Sequence, residues 1–591
     1  MNNKNKKQYN IFAFIDKKSC FAQALTFLIV SVLLYFLIEM LSSRSIINGF
    51  LFIVRNPLLS LINIAIIYVA YPIILLTKKR RFLFLFISIF WLVVSAINFI
   101  AQFFRLTPVS AMDMYEFEPI LRSLPIPYVL TIVVILIVVL LFLYGIIKCY
   151  NKASSTNRQI KNFCILFSLS MFFMVSILYT SKEKNILNVK LDNLHSAYHQ
   201  YGFVYCFMNS FFDLGIDKPS DYSKARMLSI IEELNEESIN TKTDDTKPNI
   251  IMVQLESFFD VNAISNIQFS ENPVPNFTRL KEEFSHGYLT VPSLGAGTVN
   301  TEFEVLTGMN TDFFGSFEYP YRTILLKDAV ESICTNLDSK GYNSFAIHNN
   351  TASFYHRKEV FKRIGFDYFS SIETMEDVEY NPMGWAKDSI LLKEITKALN
   401  IDAKRDFIYS ISVQPHGDYI SVPIDYPIKL QVNDENSYDI NDKYTNDLRN
   451  QFEYYVNQLT ETDQLIGDLT TYLESYEEPT IVVFFGDHLP PLDMDYESLS
   501  HSKYQTEYVL WSNYPMEQIE YDLNAYELNA YILQRVGINE GVLTKFHQTY
   551  NKEMDYMNVF KLLQYDMLYG KKYVFAKVNP YKIKELKMGI D

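Results

Sequence analysis

Hydrophobic and polar positions alternate in two different ways along this chain. The first third holds long apolar runs, Phe21–Leu41, Leu58–Leu76, Phe82–Phe104, Tyr128–Ile147 and Phe163–Tyr179. Each is long enough, or nearly so, to cross roughly 30 Å of hydrocarbon. The pattern predicts a transmembrane domain of five helices over residues 1–180. Basic clusters set its direction. Lys4, Lys6, Lys7, Lys17 and Lys18 precede the first run; Lys78, Lys79, Arg80 and Arg81 follow the second; Lys148, Lys152, Arg158 and Lys161 follow the fourth. Counted alternately, all three fall on the cytoplasmic side, with the N-terminus inside and everything after Tyr179 outside. The first run is too long for a cleaved signal peptide, and no small-residue cleavage site follows it before Ser42. Apart from Glu39 near a helix end, the runs hold no conspicuous ionisable residue, which argues against an ion-coupled transporter.

Residues 181–247 read as a linker. Its aromatic middle, AYHQYGFVYCFMNSFFDLG, is too interrupted to span. It fits either a segment resting on the membrane interface or a helix packed on the next domain. The stretch ending in TKTDDTKPN is turn-forming and marks a boundary. Beyond it the period changes. Short apolar runs at Asn249–Leu255, Ser344–Ile347, Phe407–Val413, Ile481–Phe485 and Tyr508–Trp511 are separated by helix-like stretches. Strands alternating with helices predict an α/β domain over 248–591, a mostly parallel sheet covered by helices on both faces.

Charge follows the same division. Up to Tyr179 there are 17 Lys and Arg against five acids, a net +12, so the remainder carries −26 of the chain's net −14. An acidic outer part excludes a nucleic-acid footprint. The five cysteines show no paired spacing, so neither a disulfide framework nor a Cys-based zinc site is indicated.

Three stretches carry chemistry. In Ile481–Pro491, IVVFFGDHLPP, a buried strand stops at a glycine, then Asp487 and His488, then two prolines that forbid its continuation. Ligands bind at the carboxyl ends of strands in open α/β sheets. One carboxylate and one imidazole there suit Mn²⁺, Zn²⁺ or Mg²⁺, although an aspartate at such a turn also serves as a helix N-cap. NIIMVQL likewise ends in Glu256, so two strand ends can converge on one metal. In VPSLGAGTVNTEFEVLTG, Thr298 opens a predicted helix containing Glu302. Its hydroxyl would either meet a phosphate at the helix N-terminus or act as a cap, with Glu302 favourable to the dipole.

Glu256, GAGTVNTEFEVLTG, QPHGDY and FFGDHLPP together resemble the lipoteichoic acid synthase family over nearly the whole chain. That family places an alkaline-phosphatase or sulfatase-like domain behind five membrane helices. The resemblance implies that Glu256, Thr298, Asp487 and His488 hold Mn²⁺ (or Mg²⁺ or Zn²⁺), with Thr298 as nucleophile. It further implies substrate contacts from His348, Tyr355, Arg357 and His416, with His416 also a proton donor. The family usually carries a tryptophan where Tyr355 stands. Classical sulfatases need a C/S-x-P-x-R motif, and GTVNTE offers none, which argues against sulfate-ester hydrolysis. His286 and His356 read as surface or packing residues.

The implied activity is transfer of glycerol phosphate from phosphatidylglycerol, through a covalent threonine intermediate, to a glycolipid or polyglycerolphosphate acceptor, with release of diacylglycerol. This belongs to cell-wall biogenesis in a Gram-positive-type envelope. The alternative is a phosphoglycerol or phosphoethanolamine transferase modifying a glycolipid primer or surface polysaccharide.

Overall fold

The computed structural model describes residues 19–77, 79–102, 108–114, 157–184, 186–187, 194–236, 247–315, 318–417, 419–432, 443–550 and 555–590. The chain divides into two compact units, Met1–Leu214 and Gly215–Asp591. The division falls inside the stretch read from sequence as a linker.

In the first unit, four helices among the described residues are long and apolar enough to cross a membrane: Cys20–Ser42, Pro57–Leu76, Arg80–Ala101 and Asn157–Ser181. They coincide with four of the five predicted spans. The other, Tyr128–Ile147, lies outside the described residues. Phe21, Ile29, Leu33 and Phe172 are exposed on these helices, as expected where lipid rather than water is the solvent. Two short helices, Leu194–Tyr201 and Phe203–Asn209, take up the aromatic stretch. They pack inside this unit. The Asn63 side chain donates to the Tyr201 carbonyl at 2.8 Å and accepts from the Tyr205 N–H at 2.7 Å, and Trp91 meets Phe207 edge-on.

The second unit is built on a sheet. Its strands in chain order are β1 (Asn249–Leu255), β2 (Ile267–Phe269), β3 (Ser285–Thr290), β4 (Asn343–His348), β5 (Tyr368–Ser371), β6 (Asp406–Ile411), β7 (Leu430–Val432), β8 (Thr480–Gly486), β9 (Gln505–Ser512), β10 (Leu523–Asn524) and β11 (Lys587–Met588). Nine of them run in the order β10-β3-β9-β8-β1-β6-β4-β5-β11, while β2 and β7 form a separate ribbon. The sheet is mixed. β9 runs antiparallel to both β3 and β8, and the other pairs are parallel.

The β-branched runs form strands because both faces are covered. Every residue of β1 and β8 is buried. Ile251, Val253, Leu255, Val482 and Phe484 join one core with Phe345, Ile347 and the Ser389–Ala398 helix through Ile390, Leu391 and Ile395. On the opposite face, Ser344 meets Cys334 of the Ile333–Asp338 helix. Each such apolar side chain stabilises the fold by about 1.5–3 kcal/mol on burial. The consequence for function is positional. Adjacent parallel strands β8, β1, β6 and β4 all end at one edge, in Asp487, Glu256, Ser412 and Asn349.

Candidate active site

β1 and β8 pair in register as far as Leu255 and Gly486, so Glu256 and Asp487 leave the sheet side by side. Gly486 is required by space: a Cβ there would lie 1.9 Å from the Phe258 carbonyl oxygen. Ser257 then takes φ +51, a left-handed conformation that strains a non-glycine residue. The strained turn aims its donors at both carboxylates. The Ser257 N–H donates to Asp487 Oδ1 at 2.8 Å, and its hydroxyl donates to Glu256 Oε1 at 2.9 Å. Tyr455 fixes the same turn by donating to the Ser257 carbonyl at 2.6 Å.

Thr298 is the first residue of the helix Thr298–Thr307. Gly297 before it has φ +99, and a Cβ there would lie 2.8 Å from Ser293 Oγ, so only glycine turns the chain into this helix without strain. Thr301 docks the helix on the sheet by donating to the Asp487 carbonyl at 2.7 Å. Thr298 Oγ1 consequently lies 3.2 Å from Glu256 Oε2 and 3.5 Å from His488 Nε2. His488 Nε2 is 3.5 Å from Asp487 Oδ2 and 3.8 Å from Glu256 Oε1.

These residues fit a divalent cation. Glu256, Asp487 and His488 offer ligand atoms within 4.8 Å of one another, all buried. His488 Nδ1 faces the Leu489 carbonyl at 3.0 Å, which makes it the protonated nitrogen and leaves Nε2 as a bare donor. Asp487 Oδ2 is buried with no hydrogen-bond partner. Burial and the Glu256 charge push the Asp487 carboxyl up to about 7, against the pull of His488. For His488, burial acts downward, but the Asp487 and Glu256 carboxylates outweigh it and raise its affinity for protons. Two close carboxylates with an orphaned oxygen are what a bound cation would relieve.

The remaining expected residues occupy a second layer at the same edge. Arg357 and Glu302 are both buried; Arg357 Nη2 and Nε donate to Glu302 Oε2 at 2.9 and 3.1 Å. Arg357 Nη1 lies 3.1 Å from His348 Nε2, and His348 Nδ1 faces the Ile411 carbonyl at 3.0 Å. Burial, the Arg357 charge and neighbouring His416 hold the His348 imidazole well below its ordinary pKa, so it is neutral and accepts from Arg357. Tyr321 also donates to Glu302 Oε1. Glu302, read from sequence only as favourable to a helix dipole, is thus the anchor of the predicted phosphate clamp. Tyr355, at φ +53, stacks on Tyr319. His416 follows β6, half-buried, and makes no hydrogen bond to Thr298; its ring meets Trp385. His286 lies in β3 and His356 just precedes the Arg357–Ile364 helix. Sequence reasoning gave no role to Ser257, Tyr321, Ser412 or Trp385. Ser412 accepts the Glu256 N–H at 2.8 Å. The one local signal was the serine adjoining Glu256.

Residues 248–530 match the sulfatase family model. Among curated sequences, the chain is 28% identical over 376 residues to a Rhizobium meliloti (strain 1021) protein named for cyclic beta-1,2-glucan modification, covering 55% of this chain and 56% of that one. It is 24% identical over 258 residues to the capsular polysaccharide biosynthesis protein RkpI of the same organism, covering 42% of each. The chain therefore spans about half the length of these relatives. Among solved structures, the Streptococcus pyogenes phosphoglycerol transferase GacH, in complex with sn-glycerol-1-phosphate, aligns with TM-score 0.53 and 24% identity. That alignment covers 62% of this chain and 100% of the solved GacH chain. The Listeria monocytogenes lipoteichoic acid synthase LtaP aligns with TM-score 0.41 and 19% identity over 53% of this chain and 80% of LtaP. The sulfatase family model thus covers residues 248–530 of this chain, and the fold there is one that GacH also carries.

Proposed function

We propose that this chain transfers glycerol phosphate from phosphatidylglycerol to a hydroxyl acceptor, with Thr298 as the covalent carrier. The observation that carries this reading is the placement of Thr298 Oγ1 at a helix N-terminus, 3.2 Å from Glu256 and 3.5 Å from His488. Oriented N–H groups there favour an anionic phosphoryl group. A threonine in place of a C/S-x-P-x-R motif directs the domain to phosphoryl rather than sulfate-ester chemistry.

Glu256, Asp487 and His488, with Thr298, are the residues that would hold a divalent cation, Mn²⁺ in our reading. When bound, such an ion supplies Lewis-acid stabilisation to an ionised hydroxyl and to phosphoryl oxygens. The chain's own residues do the rest. Thr298 Oγ1, its proton directed at Glu256, attacks phosphorus; a P–Oγ1 bond forms and the bond to the diacylglycerol oxygen breaks. His416 gives that leaving oxygen a proton. Arg357 Nε and one N–H on each terminal nitrogen are taken by Glu302 and His348; the second N–H on each is left for a phosphoryl oxygen. An acceptor hydroxyl then gives its proton to His416 and attacks phosphorus; the P–Oγ1 bond breaks and Thr298 takes its proton back from Glu256. The apolar helices of the first unit suit a membrane anchor, and the basic clusters put the catalytic domain outside. Anchoring fits a lipid donor.

The sequence resemblance points to a growing polyglycerolphosphate chain as acceptor. A second reading, transfer to a glycan, is favoured by the relative named for cyclic beta-1,2-glucan modification. Full-length protein in liposomes of fluorescent phosphatidylglycerol with Mn²⁺ separates them. Diacylglycerol release with a ladder of lengthening product supports polymer synthesis, and release only when a glycan is added supports the second reading. Release from phosphatidylethanolamine but not from phosphatidylglycerol would overturn the donor.

A further inference from the structure

Residues 379–388, between β5 and β6, form a loop held at both ends to the strand end that carries His416. Tyr380 bridges Ala386, and the backbone bonds Asn381 N–H to Trp385 O and Lys387 N–H to Glu379 O, each 2.8 Å, close it. Buried Asn381 fixes its interior. The side-chain carbonyl accepts the N–H groups of Met383 and Trp385, both at 3.0 Å, and the amide donates to the Gln414 carbonyl at 3.0 Å. At the other end the buried Asp388 carboxylate accepts from the N–H groups of Val413 (3.0 Å) and Gln414 (3.2 Å), from Asn349 Nδ2 (2.9 Å) and from Thr462 Oγ1 (2.8 Å). A rigid frame of this kind fixes a rotamer rather than merely permitting it.

What the frame fixes is Trp385. Its indole lies 4.4 Å, centroid to centroid, from the His416 imidazole, inclined at 45°, and both rings are half-buried. His416 Nδ1 faces the Gly417 carbonyl at 3.3 Å, which leaves Nε2 for another partner. Tyr355, by contrast, is taken up by protein: it stacks on Tyr319, with Arg322 and Arg357 5.4 and 5.7 Å from its ring centroid. The tryptophan of this site comes from a different element.

We propose that Trp385 is a specificity-determining residue whose indole, with His416, receives the glycerol end of the donor headgroup. A glycerol unit has a C–H edge that packs on an aromatic face and hydroxyls that need hydrogen-bonding partners. Trp385 supplies the first, and His416 Nε2 supplies the second whenever it is not engaged with the leaving oxygen. The inference rests on the phosphoglycerol reading.

The chain has three tryptophans, Trp91, Trp385 and Trp511. Trp511 is in the sheet core and Trp91 in the first unit, so an emission change on ligand binding is assignable by substitution. The test titrates full-length Thr298→Ala protein with sn-glycerol 1-phosphate, phosphoethanolamine and inorganic phosphate. The expected result is an emission change with sn-glycerol 1-phosphate, absent with inorganic phosphate and abolished by adding Trp385→Phe. In liposomes, Trp385→Ala raises KM for phosphatidylglycerol about tenfold with kcat within about twofold, and Trp385→Phe restores most of the KM. A collapsed loop would instead lower kcat without rescue by phenylalanine, and that result overturns the proposal. So does an emission change that survives Trp385→Phe, or one seen only with phosphoethanolamine. Failure of wild-type protein to cleave phosphatidylglycerol would sink the functional reading alone, because the emission titration reports headgroup contact without turnover.

Discussion

Arg357 and Glu302 form a buried ion pair, Nη2 to Oε2 at 2.9 Å, one turn along the helix that Thr298 opens. The pair ties the Thr298–Thr307 helix to the start of the Arg357–Ile364 helix. An arginine expected from sequence to hold phosphate therefore also holds in place the helix of the proposed nucleophile, Thr298.

Breaking this pair from one side leaves an uncompensated buried charge. Glu302→Ala should destabilise the second unit by about 3–5 kcal/mol, read as a lowered unfolding midpoint. Arg357→Lys keeps a cation facing Glu302 but loses the fork. We expect it to fold and to lose about 100-fold in kcat on phosphatidylglycerol. Full turnover by Arg357→Lys would limit Arg357 to a structural role.

The Thr298 side-chain oxygen meets Glu256 and His488 and also acts on the Asp487 carboxylate, all of them polar groups of the site rather than the core. Thr298→Ala should abolish diacylglycerol release while shifting the melting midpoint little, and Thr298→Ser should retain part of the turnover. Mass spectrometry of wild-type protein quenched during turnover should find a glycerophosphoryl adduct on the peptide containing Thr298. Polymer or glycan product made by Thr298→Ala would remove Thr298 from the mechanism.

The partnerless Asp487 Oδ2 makes a thermodynamic prediction that needs no activity. A cation that binds only the folded chain at 100 times its Kd stabilises it by about 2.7 kcal/mol. Adding Mn²⁺ to chelator-treated protein should raise its melting midpoint. Asp487→Asn should lose that rise and yet melt no lower than wild type in chelator, since the amide oxygen still accepts the Ser257 N–H while the buried charge, whose second oxygen has no hydrogen-bond partner, is removed. An equal Mn²⁺-induced rise in both proteins would place the ion elsewhere.

Much of this site is readable in one sequence because its parts are local. NIIMVQL and IVVFFG are buried-strand runs, and Glu256 and Asp487 stop them. Gly297 and Thr298 mark a helix start without further information. What is not readable depends on closure of the sheet. Ser257 reaches Asp487 across 230 positions, and Trp385 meets His416 only because Asn381 and Asp388 bind the end of β6. β3, SHGYLT, alternates buried and half-buried residues and includes a glycine, so it lacks the continuous apolar signal of β1. Antiparallel β9 reads as a strand from composition, but its direction follows from its partners.

The far end of the Thr298–Thr307 helix gives a pH prediction. The helix ends at Gly308, whose carbonyl accepts from His547 Nε2 at 2.7 Å; His547 Nδ1 lies 2.6 Å from the Tyr556 hydroxyl. With Nε2 protonated, Nδ1 accepts from Tyr556, so the buried ring is neutral. Burial pushes its pKa down to about 4, against about 6.5 in an unfolded chain. Between those values the unfolded chain binds a proton that the folded chain refuses, so this contribution to stability is intact above about pH 6.5 and falls as the pH drops towards 4. At pH 5.5 the loss is about 1.4 kcal/mol. Burial acts oppositely on the carboxyls of Asp406 and Glu507, both raised to about 7, which favour the folded state at lower pH. The net slope of wild type therefore does not isolate His547, but a comparison does. Melting midpoints of the full chain and of His547→Gln, measured from pH 7.5 to 5.0, should converge or cross on acidification, because only wild type carries the histidine penalty. Parallel curves would mean that His547 takes up its proton without loss of the folded state.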